Sequence, residues 1–382
     1  MDARERDADA LAARGDVVGA LALLEQVVAA APDHAEAWMK LAALRRVTGN
    51  LPGAQDAITA VLRIDPLHFM ALLSRARLHE MQGNAADAAR FYNRALAQLP
   101  ADQPVPPHLT AMIDHGRRVG TAYQDEIAAR WAAIAADQAD LDDGMRRRVT
   151  RLASNALHRT RVYHCEPTHY HYPGLVEREF HDRSAFPWLA ALEAQTAAIR
   201  DEYVALQRQR GARAEPYVQY DPGLPVRQWA ALNHSLDWTA FHLLQNGAPV
   251  GSNAASCPQT IAALGPIGQP SIAGRSPNAM FSLLKPHTRI PPHTGVANTR
   301  LVCHLPLIVP DGCWFRVGAE TRQWRVGEAF VFDDTIEHEA ANDSDAPRVV
   351  LIFDLWHPGL APAERRAVAR LMEADDAEGA PL

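Results

Sequence analysis

The chain has 382 residues, of which 48% are hydrophobic and 22% charged, a composition typical of a globular protein of two or three domains and not of a disordered or collagen-like chain. Its formal net charge is −7, so there is no overall basic field for nucleic acid or an anionic membrane. No apolar run approaches the roughly 18 residues that span a bilayer, and the charged first residues contain no secretory signal. We expect a cytoplasmic protein with no membrane segment and no nucleic-acid partner.

A period of 34 residues runs through the N-terminal third. Three residue types recur at this step: Pro32, Pro66 and Pro100; Gly15, Gly49 and Gly83; Ala20, Ala54 and Ala88. The glycine suits the end of a first helix, the alanine a close approach by a second helix, and the proline the end of that helix. This pattern resembles the tetratricopeptide repeat, and about two and a half repeats cover 1–99. Such repeats bind a peptide or pack on a neighbour.

A proline-rich break, ADQPVPPH at 101–108, follows the repeats. Helical periodicity then returns at about 118–136, 145–158 and 187–208. We assign 100–165 to a helical linker region, 166–360 to a second domain, and 361–382 to a C-terminal helix and tail. His169 and His171 form an HxH pair, which we interpret as part of an aromatic loop because no third metal ligand lies nearby.

The C-terminal half changes to short β-rich runs separated by Gly- and Asp-containing turns. Candidate strands are 281–286, 300–309, 313–318, 328–334 and 348–356. Several antiparallel strands after a helical stretch predict an α+β multidomain protein, in which a closed or double-sheet β architecture has helices packed outside.

Polar side chains within these runs indicate a site. His293 ends a PPH turn and His338 follows the run EAFVFDD, so the two imidazoles can converge on one metal, without selecting among iron, copper, zinc and nickel. Arg348 begins a very apolar strand, where its permanent charge needs an anion. An alternative is a structural arginine that pairs with Asp343 or Asp345.

Further polar residues are predicted to share one face of a strand. Arg300, Val302 and His304 alternate with apolar residues along one strand and therefore point to one side of it. Ser282 lies eleven residues before His293, as His304 lies eleven after it. Together with the histidine pair, these side chains suit an acidic small molecule.

Two long segments carry a resemblance to a known family. HTGVANTRLVCHLPL (293–307) and FDDTIEHEAANDSDAPRVVLIFDLWHP (332–358), together with YPGL (172–175) and DWTAFHLLQNG (237–247), resemble the aspartyl/asparaginyl β-hydroxylases. Those enzymes are Fe(II)- and 2-oxoglutarate-dependent dioxygenases on a double-stranded β-helix (jelly-roll, cupin-like) fold. The resemblance covers roughly 170–358, and animal members also place tetratricopeptide-like helices before the oxygenase.

The resemblance implies that His293 and His338 are the iron ligands, with water where relatives in the wider superfamily have a carboxylate, because Gly295 stands two residues after His293. It implies that Arg348 and Ser282 bind the distal carboxylate of 2-oxoglutarate. The near-metal end of the cosubstrate would contact His304, and Trp238 would line its pocket. Asp333 and Asp334 are expected to orient the turn before His338.

Arg300 is the candidate for a substrate carboxylate or amide. Val302 departs from the animal members, which carry an arginine there, so the detailed cosubstrate contacts can differ. His287 and His357 lie in proline-flanked turns and are not expected to bind iron.

The implied reaction consumes O2 and 2-oxoglutarate, releases succinate and CO2, and hydroxylates an unactivated C–H. The β-carbon of peptidyl Asp or Asn is the first choice, because the repeats offer a groove for a peptide or protein substrate. The alternatives are hydroxylation of a free amino acid or of a lipid A acyl chain, or a non-catalytic cupin-like binding module on a repeat scaffold.

Overall fold

A computed structural model of the chain describes residues 3–100, 105–209, 214–223 and 226–375. The chain divides into two compact units, 1–157 and 158–382. The first unit is helical: α1 (Ala3–Ala13), α2 (Val17–Ala30), α3 (Ala35–Val47), α4 (Leu51–Ile64), α5 (Phe69–Met81), α6 (Ala85–Leu96), α7 (Pro107–Ala136) and α8 (Asp143–Ala156).

The repeat prediction is confirmed in the first six helices, which pack as three pairs: α1 with α2, α3 with α4, and α5 with α6. The glycines of the repeat lie after the first helix of each pair in the left-handed region, with φ of +84°, +79° and +73° at Gly15, Gly49 and Gly83. Ala20, Ala54 and Ala88 are fully buried, as close helix approach requires. The described residues thus contain three helix pairs, where the sequence indicated about two and a half repeats.

The helices that we assigned to a linker region continue the first unit. Helix α7 packs on α6 and α8 packs on α7. A Cβ added at Gly116 would stand 2.8 Å from the Tyr92 ring, so glycine permits this close approach. The unit therefore extends to Leu157, beyond the break at 101–108, because α7 covers the exposed side of the last repeat.

The described part of the second unit contains eleven strands and five α-helices. The strands are β1 (Glu215–Pro216), β2 (Trp238–Gln245), β3 (Ala248–Pro249), β4 (Ala279–Leu284), β5 (Thr288–His293), β6 (Arg300–Ile308), β7 (Cys313–Val317), β8 (Glu320–Gln323), β9 (Phe330–Phe332), β10 (His338–Asn342) and β11 (Arg348–Trp356). The helices are α9 (Leu189–Glu193), α10 (Thr196–Arg208), α11 (Gly251–Ser256), α12 (Pro258–Leu264) and α13 (Pro362–Glu373).

The strands form two antiparallel sheets. The larger sheet has the order β1-β2-β4-β11-β6-β9, with β3 paired to β2, and the smaller has the order β5-β10-β7-β8. All strand pairs are antiparallel, as predicted for the α+β protein. Among the described helices, none is both long and apolar enough to cross a membrane.

The larger sheet buries both faces, and strand alternation divides its residues between them. Leu301, Cys303 and Leu305 of β6 pack in a cluster with helices α9, α10 and α12. Val302 packs on the other face, in a cluster that also contains Phe315 of the smaller sheet. The predicted face of Arg300, Val302 and His304 is therefore the face toward the smaller sheet, and the site lies there.

Candidate active site

The two predicted metal ligands are direct neighbours. His293 ends β5 and His338 begins β10, and the two are paired across these strands with their ring centroids 4.0 Å apart. Nδ1 of His293 lies 2.8 Å from the Pro291 carbonyl oxygen, and Nδ1 of His338 lies 3.1 Å from that of Ile336. A carbonyl accepts only, so each Nδ1 carries the proton and each Nε2 presents a lone pair.

Burial keeps both imidazoles neutral. It lowers the pKa of His293 to about 3 and that of His338 to about 4, and a positive charge on His338 would lower the pKa of His293 further. The neutral ring is the form that binds metal. Gly295 supplies no carboxylate, and within the described ranges no three His, Cys, Asp or Glu side chains meet as a metal-binding group. The histidine pair offers two imidazole donors, and its binding of a metal stays a prediction.

Arg348 is buried, and no described residue serves as its counter-ion. It is 1% exposed, and its Nε and Nη1 have no hydrogen-bond partner among the residues that the structure describes. Its guanidinium lies 4.8 Å from the centroid of the Trp324 ring, and burial lowers its pKa to about 10. A buried guanidinium with unsatisfied donors is a candidate anion site, since an anion would satisfy both the charge and the hydrogen bonds.

The alternative of a structural pair for Arg348 is wrong. Asp343 accepts hydrogen bonds from Arg289 and from the Trp314 indole. Asp345 contacts His287 on the surface, where the Asp345 side chain is 98% exposed. Neither carboxylate reaches the buried strand start of β11.

Ser282 and Trp238 flank this anion site. Ser282 is fully buried and opposite Val350 on β4 and β11, while Trp238 and Arg348 are both register partners of Leu284. The Trp238 indole Nε1 donates to Ser282 Oγ at 3.0 Å. Because the hydroxyl accepts this bond, its own hydrogen can be donated to a bound anion.

His304 is enclosed by aromatic rings. Its ring centroid lies 4.9 Å from that of Phe332 and 5.0 Å from that of Phe315, and Trp324 Nε1 donates to its Nδ1 at 3.4 Å. Burial, with the nearby positive charge of Arg348, lowers its pKa well below the usual value. It is a neutral imidazole between the anion site and the histidine pair, and contact with a cosubstrate stays a prediction.

Arg300 is paired, which the sequence did not indicate. Its Nη2 donates to Asp334 Oδ2 at 3.1 Å, and both residues are buried. Burial raises the pKa of Asp334, while the charge of Arg300 opposes that rise. Arg300 Nε and Asp334 Oδ1 are buried and have no partner in the described part of the chain, so each can still bind a ligand group. Asp333 instead accepts from the backbone and hydroxyl of Thr335, which fixes the turn before His338.

Two further aromatic residues face the site and were missed from the sequence. The Trp229 ring centroid lies 4.8 Å from that of His293, and Tyr217 stacks on Trp238 with centroids 3.8 Å apart. Both come from irregular segments between candidate elements, where no periodic pattern marks a side chain as inward-facing. The run of aromatic residues before DWTAFHLLQNG was the available signal.

The remaining histidines lie elsewhere. The His287 side chain is 67% exposed against Asp345, and His357 is buried beside His181 with their ring centroids 5.3 Å apart. The His169 side chain is hydrogen-bonded to that of Thr168, within an aromatic loop as expected.

Comparison with known proteins matches two parts of the chain to known families. Residues 193–358 match the family model of the aspartyl/asparaginyl beta-hydroxylases, and residues 11–78 match a tetratricopeptide repeat model. Human aspartate beta-hydroxylase domain-containing protein 2 is 40% identical over 135 residues, which are 35% of this chain and 37% of that protein. Mouse aspartyl/asparaginyl beta-hydroxylase is 38% identical over 147 residues, covering 38% of this chain and 20% of that protein.

A bacterial relative is matched over a longer region. The ornithine lipid ester-linked acyl 2-hydroxylase of Rhizobium tropici is 35% identical over 195 residues, which are 50% of this chain and 65% of that protein. The match thus spans from a fifth to about two thirds of the length of these relatives. This chain thus matches a tetratricopeptide repeat model at 11–78 and the aspartyl/asparaginyl beta-hydroxylase family model at 193–358.

Proposed function

We propose that the second unit is an Fe(II)- and 2-oxoglutarate-dependent dioxygenase that hydroxylates an unactivated C–H bond. The observation that carries this proposal is the combination of the two adjacent imidazoles of the smaller sheet with the guanidinium of Arg348 in the larger sheet, which is buried and unpaired among the described residues. The first suits iron, and the second suits the distal carboxylate of a dicarboxylic acid.

Each residue has a defined part in this proposal. His293 and His338 hold the metal through Nε2, and their Nδ1 bonds to backbone carbonyls fix the rings. Arg348 and Ser282 bind the distal carboxylate, and His304 binds the end of the cosubstrate near the metal. The bound iron, 2-oxoglutarate and O2 supply the oxidising chemistry, and the surrounding aromatic side chains exclude water from it.

The first substrate candidate is a peptidyl Asp or Asn, hydroxylated at its β-carbon. The family name and the animal relatives support it, and the repeats belong to a class that binds peptides. Arg300 Nε, which is buried and lacks a partner within the described residues, would donate to the substrate carboxylate or amide.

A second candidate is an acyl chain, favoured by one observation. Arg300 and Asp334 neutralise each other, and Val302, Trp229 and Trp238 make the adjoining wall apolar. The Rhizobium relative, whose name specifies an acyl 2-hydroxylase, is the one matched over most of its length among the three described above.

The test is product analysis with both substrate classes. The iron-loaded protein is incubated with 2-oxoglutarate and O2, together with Asp- or Asn-containing peptides in one arm and acylated lipids in the other. Succinate formation and a product heavier by about 16 Da are the expected results, since one oxygen atom is added. The His293→Ala variant is the control. Absence of succinate in every arm, with metal bound, would contradict the proposal.

A further inference from the structure

Tyr217 lies over the buried indole of Trp238 and still has accessible surface. It is 36% exposed, yet burial raises the pKa of its phenol. A side chain surrounded by protein that remains accessible lines a cleft rather than the outer surface. His293, which is only partly buried, faces the same interior, because both residues contact Trp238.

The backbone and the ring stack fix where Tyr217 points. Its N–H donates to the Trp238 carbonyl at 3.0 Å, and the two rings are stacked at 3.8 Å with an angle of 9° between them. The indole of Trp238 is itself held by its bond to Ser282. Trp238 and Arg348 are both paired with Leu284, on the two strands next to β4. Because Tyr217 stacks on Trp238, it continues the line of side chains that runs from Arg348 past Leu284 to Trp238.

The phenol hydroxyl is close enough to sense the charges of the site. Arg300, Asp334 and Arg348 all act on its ionisation, and Arg300 has the largest effect of the three. Both guanidinium groups keep buried nitrogens without partners among the described residues. The hydroxyl is therefore a neutral donor near two guanidinium groups that both have unused donors, and of the two only Arg300 is paired with a carboxylate.

We propose that Tyr217 binds 2-oxoglutarate, its hydroxyl donating a hydrogen bond to a carboxylate of the cosubstrate alongside Arg348 and Ser282. This inference rests on the proposed function, since it concerns the cosubstrate of that reaction. A carboxylate has about four lone-pair sites, so the fork of Arg348, the Ser282 hydroxyl and the Tyr217 hydroxyl can be accommodated together.

The test measures binding, not turnover. Mn(II)-loaded full-length protein is titrated with 2-oxoglutarate by calorimetry. Quenching of the intrinsic tryptophan fluorescence, to which Trp229 and Trp238 contribute, is a second signal. Tyr217→Phe keeps the stacked ring and removes only the hydroxyl. Loss of a hydrogen bond to a charged group, about 1.5–3 kcal/mol, should raise the Kd roughly 10- to 100-fold.

Two further variants make the result specific. Tyr203→Phe removes a buried hydroxyl from α10, on the opposite face of the larger sheet, and should leave the Kd unchanged. In Tyr217→Phe combined with Arg348→Lys, the losses should not be additive, because both residues bind the same ligand.

The outcomes separate the inference from the proposed function. An unchanged Kd for Tyr217→Phe beside tight wild-type binding would overturn the inference alone. A third variant, Tyr217→Leu, removes the stacked ring as well as the hydroxyl. If it bound 2-oxoglutarate poorly while Tyr217→Phe bound normally, the inference would also be overturned, since only the stacking would then matter. Absence of 2-oxoglutarate binding by the Mn(II)-loaded wild type would instead remove the proposed function.

Discussion

Gly295 and Asp334 share one space beside the histidine pair. A Cβ at position 295 would overlap the Asp334 carboxylate, and the Gly295 N–H donates to the Asp334 carbonyl at 2.6 Å. A carboxylate therefore stands next to His293, although it comes from the turn before β10 and not from the position two residues after His293. It is held there by Arg300.

This relationship predicts that Gly295→Ala destabilises the protein. The methyl group would displace the Asp334 carboxylate and break its buried pair with Arg300, at a cost of about 3 kcal/mol. Urea denaturation followed by circular dichroism measures the change. Gly265→Ala is the matched control, because a Cβ at Gly265 meets nothing within 4 Å. Equal stability of the two variants would contradict the argument.

The metal assignment predicts a loss of binding without a loss of fold. His293→Ala or His338→Ala should abolish stoichiometric binding of Fe(II) or Mn(II), because one imidazole leaves too few protein ligands. Both residues lie at strand ends, so the far-ultraviolet circular dichroism should change little. His287→Ala, which alters an exposed histidine, should bind metal normally. Retention of stoichiometric metal by either ligand variant would refute the assignment.

The sequence specified the repeats and the inward-facing residues of β6, and for physical reasons. The left-handed backbone at position 15 and its equivalents requires glycine, and the close helix contact at position 20 and its equivalents requires alanine. The period of 34 residues can therefore be recognised in the sequence without the structure. In β6 the two-residue alternation separates His304 from Cys303, because the two faces pack against different layers.

Other features depended on tertiary contacts. Pro291 and Pro292 were interpreted as part of a turn, yet they lie in β5, which pairs with β10 alone among the described strands, so its outer edge needs no donors. His293 consequently ends a strand, where a turn before a strand was predicted. Likewise, the sequence around the adjacent Asp333 and Asp334 does not distinguish them. Only the tertiary structure shows that Asp333 accepts a hydrogen bond from Thr335 and that Asp334 pairs with Arg300.

Acid should destabilise the protein partly through His181, which lies away from the histidine pair. Burial, with the positive charges of His357 and Arg178, lowers the pKa of His181 to about 3 from 6.5. In the unfolded chain His181 binds a proton below about pH 6.5, whereas in the folded chain it stays neutral down to about pH 3. The free energy of unfolding therefore falls as the pH falls through this window.

His181→Phe should flatten that dependence. The expected difference from wild type is on the order of a few kcal/mol at pH 4 and small at pH 8, in denaturant midpoints measured across the range. His287→Phe, at an exposed position, should follow the wild-type curve. If the His181→Phe curve ran parallel to that of the wild type, another group would be responsible for the acid sensitivity.

Arg348 should show opposite effects on cosubstrate binding and on the stability of the ligand-free protein. Arg348→Lys replaces the planar fork with a point charge, so the Kd for 2-oxoglutarate should rise roughly 10- to 100-fold, corresponding to about 1.5–3 kcal/mol. Arg348→Met removes a buried charge that has no partner in the described part of the chain, so the Tm of the ligand-free protein should rise.

Arg289→Lys is the control for both measurements, because Arg289 pairs with Asp343 at the surface and should affect neither. A lower Tm for Arg348→Met, together with an unshifted 2-oxoglutarate titration for Arg348→Lys, would mean that Arg348 has a structural role and binds no anion. A higher Tm with lost binding would instead establish that the guanidinium is kept at a cost to folding because the ligand needs it.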